Sequence, residues 1–202
     1  DRQPHHLTDI TSFISMLRPG GNKIIKFQES GWPNSLLTLK LRLYDLNGEI
    51  ENPKEIIPIW NGTVQFNPSY DENRPATAFI VPENATKVEF VTYITGHGWG
   101  SAGCFNCAEF CNSRHIFEVN GGVFEFEKDH PNASSSNYCM QLETIAQGVI
   151  PNQYGTWGYG RAGWCPGQDV DPHITDITDA ISIGDENIID YSACRVSGAS
   201  CV

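Results

Sequence analysis

What most constrains the fold is a rhythm of short apolar runs, each closed by Pro, Gly or Asn, with no long helical stripe in the chain. Along residues 36–44, Leu37, Leu39, Leu41 and Leu43 alternate with Thr38, Lys40, Arg42 and Tyr44, the period of a half-buried strand. Residues 23–29, 55–60, 76–81 and 87–94 read as further strands. Asn47-Gly48 is a hairpin signal, and residues 115–126 read as a hairpin turning at Asn120-Gly121. Residues 7–17 form a short amphipathic piece ended by Pro19-Gly20-Gly21, and residues 140–146 suit a strand or a short helix. The expected class is therefore all-β: antiparallel jelly-roll sandwiches, whose loops gather at an end where binding sites are built.

Chemistry concentrates in two loops. Residues 96–111 hold Gly96, Gly98, Gly100 and Gly103 together with Cys104, Cys107 and Cys111, and Cys107 and Cys111 bracket Glu109. A bridge between those two cysteines would fix a carboxylate on a tight loop; small secreted β-domains also staple loops for stability alone. The second loop, residues 154–167, is aromatic and glycine-rich with one arginine, Arg161.

The formal net charge of −11, with no basic run, leaves nothing for a phosphate backbone to hold, so nucleic acid is not an expected partner. No apolar run reaches the length of a membrane span. Seven cysteines and the acceptor sequons at Asn61, Asn84 and Asn132 point to a secreted, extracellular glycoprotein. His97 and His115 lie close to the cysteines, but the spacing fits no closed zinc pattern, so neither metal nor cofactor is expected. The acidic residues between Asp169 and Glu186 read as a solvated run.

An internal echo divides the chain. Leu7-Thr8-Asp9-Ile10-Thr11 recurs as Ile174-Thr175-Asp176-Ile177-Thr178, and Ile24-Ile25-Lys26-Phe27 as Ile188-Ile189-Asp190-Tyr191. If the copies are equivalent, residues 1–58 are the closing strands of a first jelly roll, incomplete or completing another sheet, and residues 59–202 are a second jelly-roll domain. The first domain is then expected to take its missing strands from an upstream segment or a partner chain, with self-assembly by strand exchange as one route.

With Cys107-Ala108-Glu109-Phe110-Cys111 and Arg161-Ala162-Gly163-Trp164-Cys165-Pro166-Gly167 in this order, the sequence resembles the peptide-N-glycosidase F family. Residues 60–180 look like its second jelly-roll domain and residues 9–46 like the end of its first. The resemblance implies two eight-stranded jelly rolls and hydrolysis of the amide joining asparagine to the first sugar of an N-glycan, so the implied partner is an N-glycan or glycoprotein. It implies catalytic roles for Glu109, Arg161 and Glu29, the last in Phe27-Gln28-Glu29-Ser30-Gly31-Trp32. It also implies bridges Cys107 to Cys111 and Cys139 to Cys165; Cys194 and Cys201 would then pair, leaving Cys104 free or intermolecular. The family's principal catalytic aspartate sits in a first-domain segment upstream of residue 1, so that acid is expected on sequence this chain does not include.

Cleaving a glycosylated amide needs an oriented water, proton delivery to the leaving nitrogen and a donor for the developing oxyanion. Glu109 suits the first task, and Arg161 could clamp a carbonyl or sugar oxygen or simply pair with Glu109. Trp99, His97 and Trp157 are the expected sugar-contacting residues, although a tryptophan beside a cysteine, as Trp164 is, more often packs. The rival expectation is a non-enzymatic extracellular structural or glycan-binding subunit on the same fold.

Overall fold

The computed structural model describes residues 7–27, 36–44, 52–98, 108–152, 154–198 and 200–201. The chain divides into two units, Asp1–Ile57 and Pro58–Val202.

In the first unit, the Asp9 carboxylate accepts hydrogen bonds from the Thr11 amide at 2.8 Å and the Thr11 hydroxyl at 2.5 Å. Those two donors hold its carboxyl below the usual range. A turn closed in this way starts a helix, and a 3-10 turn, Thr11–Phe13, runs into α1, Ile14–Leu17. The amphipathic piece is thus helical and ends where Gly20 and Gly21 take positive φ. The strands expected over residues 23–29 and 36–44 are not formed among the described residues. Residues 22–27 and 36–44 have no assigned strand, and Leu37, Leu39, Leu41 and Leu43 are all exposed. Alternation prescribes a face, but a strand also needs a neighbour for its backbone groups. Residues 28–29 and the turn at Asn47-Gly48 lie outside the described residues.

Among the described residues, every strand pair of the second unit is antiparallel. Its main sheet has the order β1 (Thr77–Ile80), β6 (Glu186–Ser197), β3 (Ser113–Val119), β4 (Phe124–His130), with β7 (Ser200–Cys201) pairing the end of β6. A second sheet pairs β2 (Glu89–Thr92) with β5 (His173–Asp176). Residues 76–81, 87–94 and 115–126 thus yield the strands expected of them, and residues 140–146 resolve as α2, Leu142–Ala146. Residues 55–60 do not become a strand; Pro58 supplies no amide to a ladder there.

The core follows from the alternation. Ser113, His115, Phe117 and Val119 of β3 point inward, as do Asn187, Ile189 and Tyr191 of β6. Phe90 of β2 meets Phe117 and Phe126 with ring centroids 5.0 and 5.5 Å apart, so the two sheets pack face to face. Trp60 closes the layer, 5.5 Å from Tyr191. Among these, each fully buried apolar side chain, Phe117, Val119 and Ile189, contributes about 1.5–3 kcal/mol relative to exposure. The turn at Asn120 locks the hairpin to β6: its amide donates to the Ile188 carbonyl at 2.8 Å, and its Oδ1 accepts the Ile188 amide at 2.9 Å. Asn120 reaches this position with φ of 51°, which its short polar side chain tolerates.

The bridge Cys139–Cys165 is present as the resemblance implies, and Cys194 pairs with Cys201 as their proximity in sequence suggests. Cys111 is also disulfide-bonded, whereas Cys104 and Cys107 lie outside the described residues.

Candidate active site

The two chemistry-bearing loops are woven together. The Ala162 amide donates to the Glu109 carbonyl at 2.9 Å, and the Gly96 amide donates to the Ala162 carbonyl at 2.8 Å. This weave leaves no room for side chains at two glycines. A Cβ on Gly96 would lie 1.9 Å from the Ala108 carbonyl oxygen, and one on Gly163, whose φ is 84°, would lie 2.1 Å from that of Ile94.

At the centre, Arg161 Nε donates to Glu109 Oε1 at 2.8 Å. The remaining donors face protein as well: Nη1 the Tyr159 carbonyl at 2.8 Å, and Nη2 the Thr156 carbonyl at 2.5 Å and Thr156 Oγ1 at 3.0 Å. The guanidinium also lies over the rings of Phe110, at 5.4 Å, and Trp164, at 4.9 Å. Its side chain is 1% exposed, against 13% for Glu109. A charge buried this deeply is tolerated only because it is paired and hydrogen-bonded, and removing one partner of such a pair costs about 3–5 kcal/mol.

Glu109 is fixed at both oxygens, because its Oε2 accepts the Gly98 amide at 2.7 Å. A carboxylate has about four acceptor positions, so two remain for a water or an amide N–H arriving at its exposed edge. The loop before Arg161 is braced in turn by Asn152. Its Oδ1 accepts the amides of Tyr154 at 3.1 Å and Thr156 at 3.2 Å, and its Nδ2 donates to Thr156 Oγ1 at 3.2 Å.

The expected sugar-contacting residues fall in different settings. His97 is exposed and stacks on Trp164, whose Nε1 donates to the Gly96 carbonyl at 2.8 Å. Trp157 is half-buried against the Cys139, Val149 and Cys165 cluster. Trp99 and Glu29 lie outside the described residues. Asn61, Asn84 and Asn132 are all exposed.

Sequence reasoning missed Thr156, Asn152 and Tyr159. A signal existed, since a buried arginine must find acceptors for its donors and a preceding loop is the nearest source. It also missed a buried polar chain in the sheet. Tyr70 and Tyr191 share a hydrogen bond of 3.0 Å, Tyr191 and His115 Nδ1 one of 2.6 Å, and Ser113 Oγ lies 3.3 Å from His115 Nε2 and 3.2 Å from His130 Nδ1. Burial, with His130 nearby, pushes His115 down to about 3, and burial, with Lys128 nearby, pushes His130 down to about 4. Burial raises the Tyr191 phenol.

These features define an antiparallel β-sandwich carrying a loop-borne carboxylate held by a buried arginine. The family model described as Peptide-N-glycosidase F, C terminal, matches residues 65–199, and the chain belongs to that family. The amidase F from Elizabethkingia miricola, named peptide-N(4)-(N-acetyl-beta-D-glucosaminyl)asparagine amidase F, is 25% identical over 193 residues, covering 86% of this chain and 48% of that protein. The chain therefore spans about half the length of that relative. Among solved structures, a peptide-N(4)-(N-acetyl-beta-D-glucosaminyl)asparagine amidase is similar at 21% identity and a TM-score of 0.46, over 70% of this chain and 44% of that one. The glycosylasparaginase PNGase F from Flavobacterium meningosepticum is similar at 22% identity and a TM-score of 0.44, again over 70% and 44%.

Proposed function

We propose that this chain is part of a secreted amidase that hydrolyses the bond between asparagine and the first sugar of an N-glycan. Water attacks the side-chain amide carbon, the C–N bond breaks, and a proton passes to the leaving nitrogen, so a glycosylated Asn becomes Asp. Glu109 orients the water or the substrate amide. Arg161 acts through Glu109 by fixing its carboxylate, and Glu29 assists. Family membership supports the reaction class, and the disulfides and exposed sequons support secretion. The single observation that carries the site assignment is a carboxylate anchored at both oxygens yet still partly exposed.

The test uses the protein purified as its complete natural chain, incubated with a denatured N-glycopeptide in ¹⁸O-labelled water and read by mass spectrometry. Conversion of glycosylated Asn to labelled Asp is expected, falling by about 10²-fold or more in Glu109→Gln, the scale on which a positioned acid–base group contributes. Conversion that survives Glu109→Gln unchanged sinks the site assignment, and none in the unaltered protein sinks the activity.

A further inference from the structure

The aromatic residues around Glu109 are unequal in what they leave available. Trp157 spends its ring on the disulfide cluster, and Trp164 lies beneath His97 with its indole N–H bonded to Gly96. Phe110, next to Glu109, lies under the Arg161 guanidinium and meets a further ring edge-on: Tyr159, at 6.2 Å between centroids and 82° between planes. Tyr159 is 44% exposed. Its backbone is held by the machinery that holds the carboxylate, since its carbonyl accepts Arg161 Nη1 at 2.8 Å and its amide donates to the Thr156 carbonyl at 3.2 Å. An open ring on a pinned backbone, one residue contact from the carboxylate, is a rigid apolar platform that costs little entropy to present.

We infer that Tyr159 is the sugar-stacking residue of the Glu109 site, its ring packing against the C–H face of a pyranose of the glycan core. The inference rests on the function proposed above. Through the carbonyl bond to Arg161, a sugar seated on Tyr159 is registered to the guanidinium that aims Glu109. Tyr154, also exposed, has its backbone amide tied to Asn152 and makes no ring contact of this kind among the described residues, so it serves as a control.

The experiment is a titration of the protein with N,N′-diacetylchitobiose, followed by saturation-transfer NMR, alongside the glycopeptide conversion assay. Tyr159→Ala is expected to weaken chitobiose binding about tenfold, the loss of one aromatic contact at roughly tenfold per 1.4 kcal/mol. Tyr159→Phe should remain within about threefold of the unaltered protein, Tyr154→Ala should be unchanged, and the melting temperature of Tyr159→Ala should move by about 2 °C or less. Equal binding by Tyr159→Ala and the unaltered protein overturns the inference. Absence of chitobiose binding in a protein that still converts glycopeptide overturns it too, while leaving the amidase reading intact.

Discussion

The chain builds one turn twice and surrounds it differently. In the first unit Asp9 caps Thr11 through Oδ1, and in the second Asp176 caps Thr178 likewise, at 3.0 Å from the amide and 2.6 Å from the hydroxyl. Both turns run into a 3-10 helix, Thr11–Phe13 and Thr178–Ala180, each closed by a 2.9 Å backbone bond. Beyond that they diverge. Ile10 is 38% exposed and Ile177 3%; the Ile177 amide donates to the Val88 carbonyl, and Thr178 Oγ1 accepts the Val88 amide. Downstream, Ile25 is 53% exposed, whereas its echo Ile189 is fully buried in β6. The turn is local chemistry and forms at both Asp-x-Thr sequences; the strand after it is settled by what the sheet puts on either side.

The sharpest way to break this comparison is to truncate the paired isoleucines. Ile189→Ala should cost about 2–5 kcal/mol by leaving a cavity beside Phe117 and Val119, and Ile25→Ala about 0.5 kcal/mol or less. Urea unfolding followed by tryptophan fluorescence checks this; comparable losses at both sites would mean that the exposed copy is as well packed as the buried one.

Acid separates the sandwich next, through His115 and His130. Unfolded, each histidine binds a proton near pH 6.5; folded, not until about 3 and 4. Between those limits the unfolded state holds more protons, so the stability supplied by the neutral rings is complete above pH 6.5 and drains away as pH falls towards 4. A loss of about 2–3 kcal/mol per histidine is expected over that window. In His130→Gln the slope of stability against pH should flatten by about one proton.

The smallest contrast lies in the turns themselves. Thr178→Ala removes the acceptor of the Val88 amide along with the hydroxyl bond to Asp176 and should cost about 1–2 kcal/mol; Thr11→Ala loses only the hydroxyl bond to Asp9 and should cost about half a kcal/mol or less. Equal effects would place the stability of both turns in their caps alone.

The same contrast marks what the sequence could disclose. The hairpin of β3 and β4 was legible because inward Phe117 and Val119 alternate up to an Asn-Gly turn. Residues 36–44 alternate as clearly, yet alternation names a face without naming a partner. Glu109 and Arg161 were visible through the motifs that carry the family resemblance, and their pairing was among the arrangements foreseen. The brace from Asn152 through Thr156 was not visible, because loop hydrogen bonds depend on which donors are buried beside them. His130 escaped notice for a similar reason: it reaches Ser113 only through the register that sets the two opposite each other.

The position of β6 has a consequence for how the molecule opens in solution. Ile188 and Ile189 are bonded into β1 on one side, while Ile189 through Arg195 are registered against β3 on the other. Peeling either neighbour away exposes one row of groups and leaves the other in place. Amide hydrogens at Ile188 and Ile189, where β6 is flanked on both sides, should therefore be among the last to exchange with deuterium, making this stretch the clock against which local breathing of the site loops is timed.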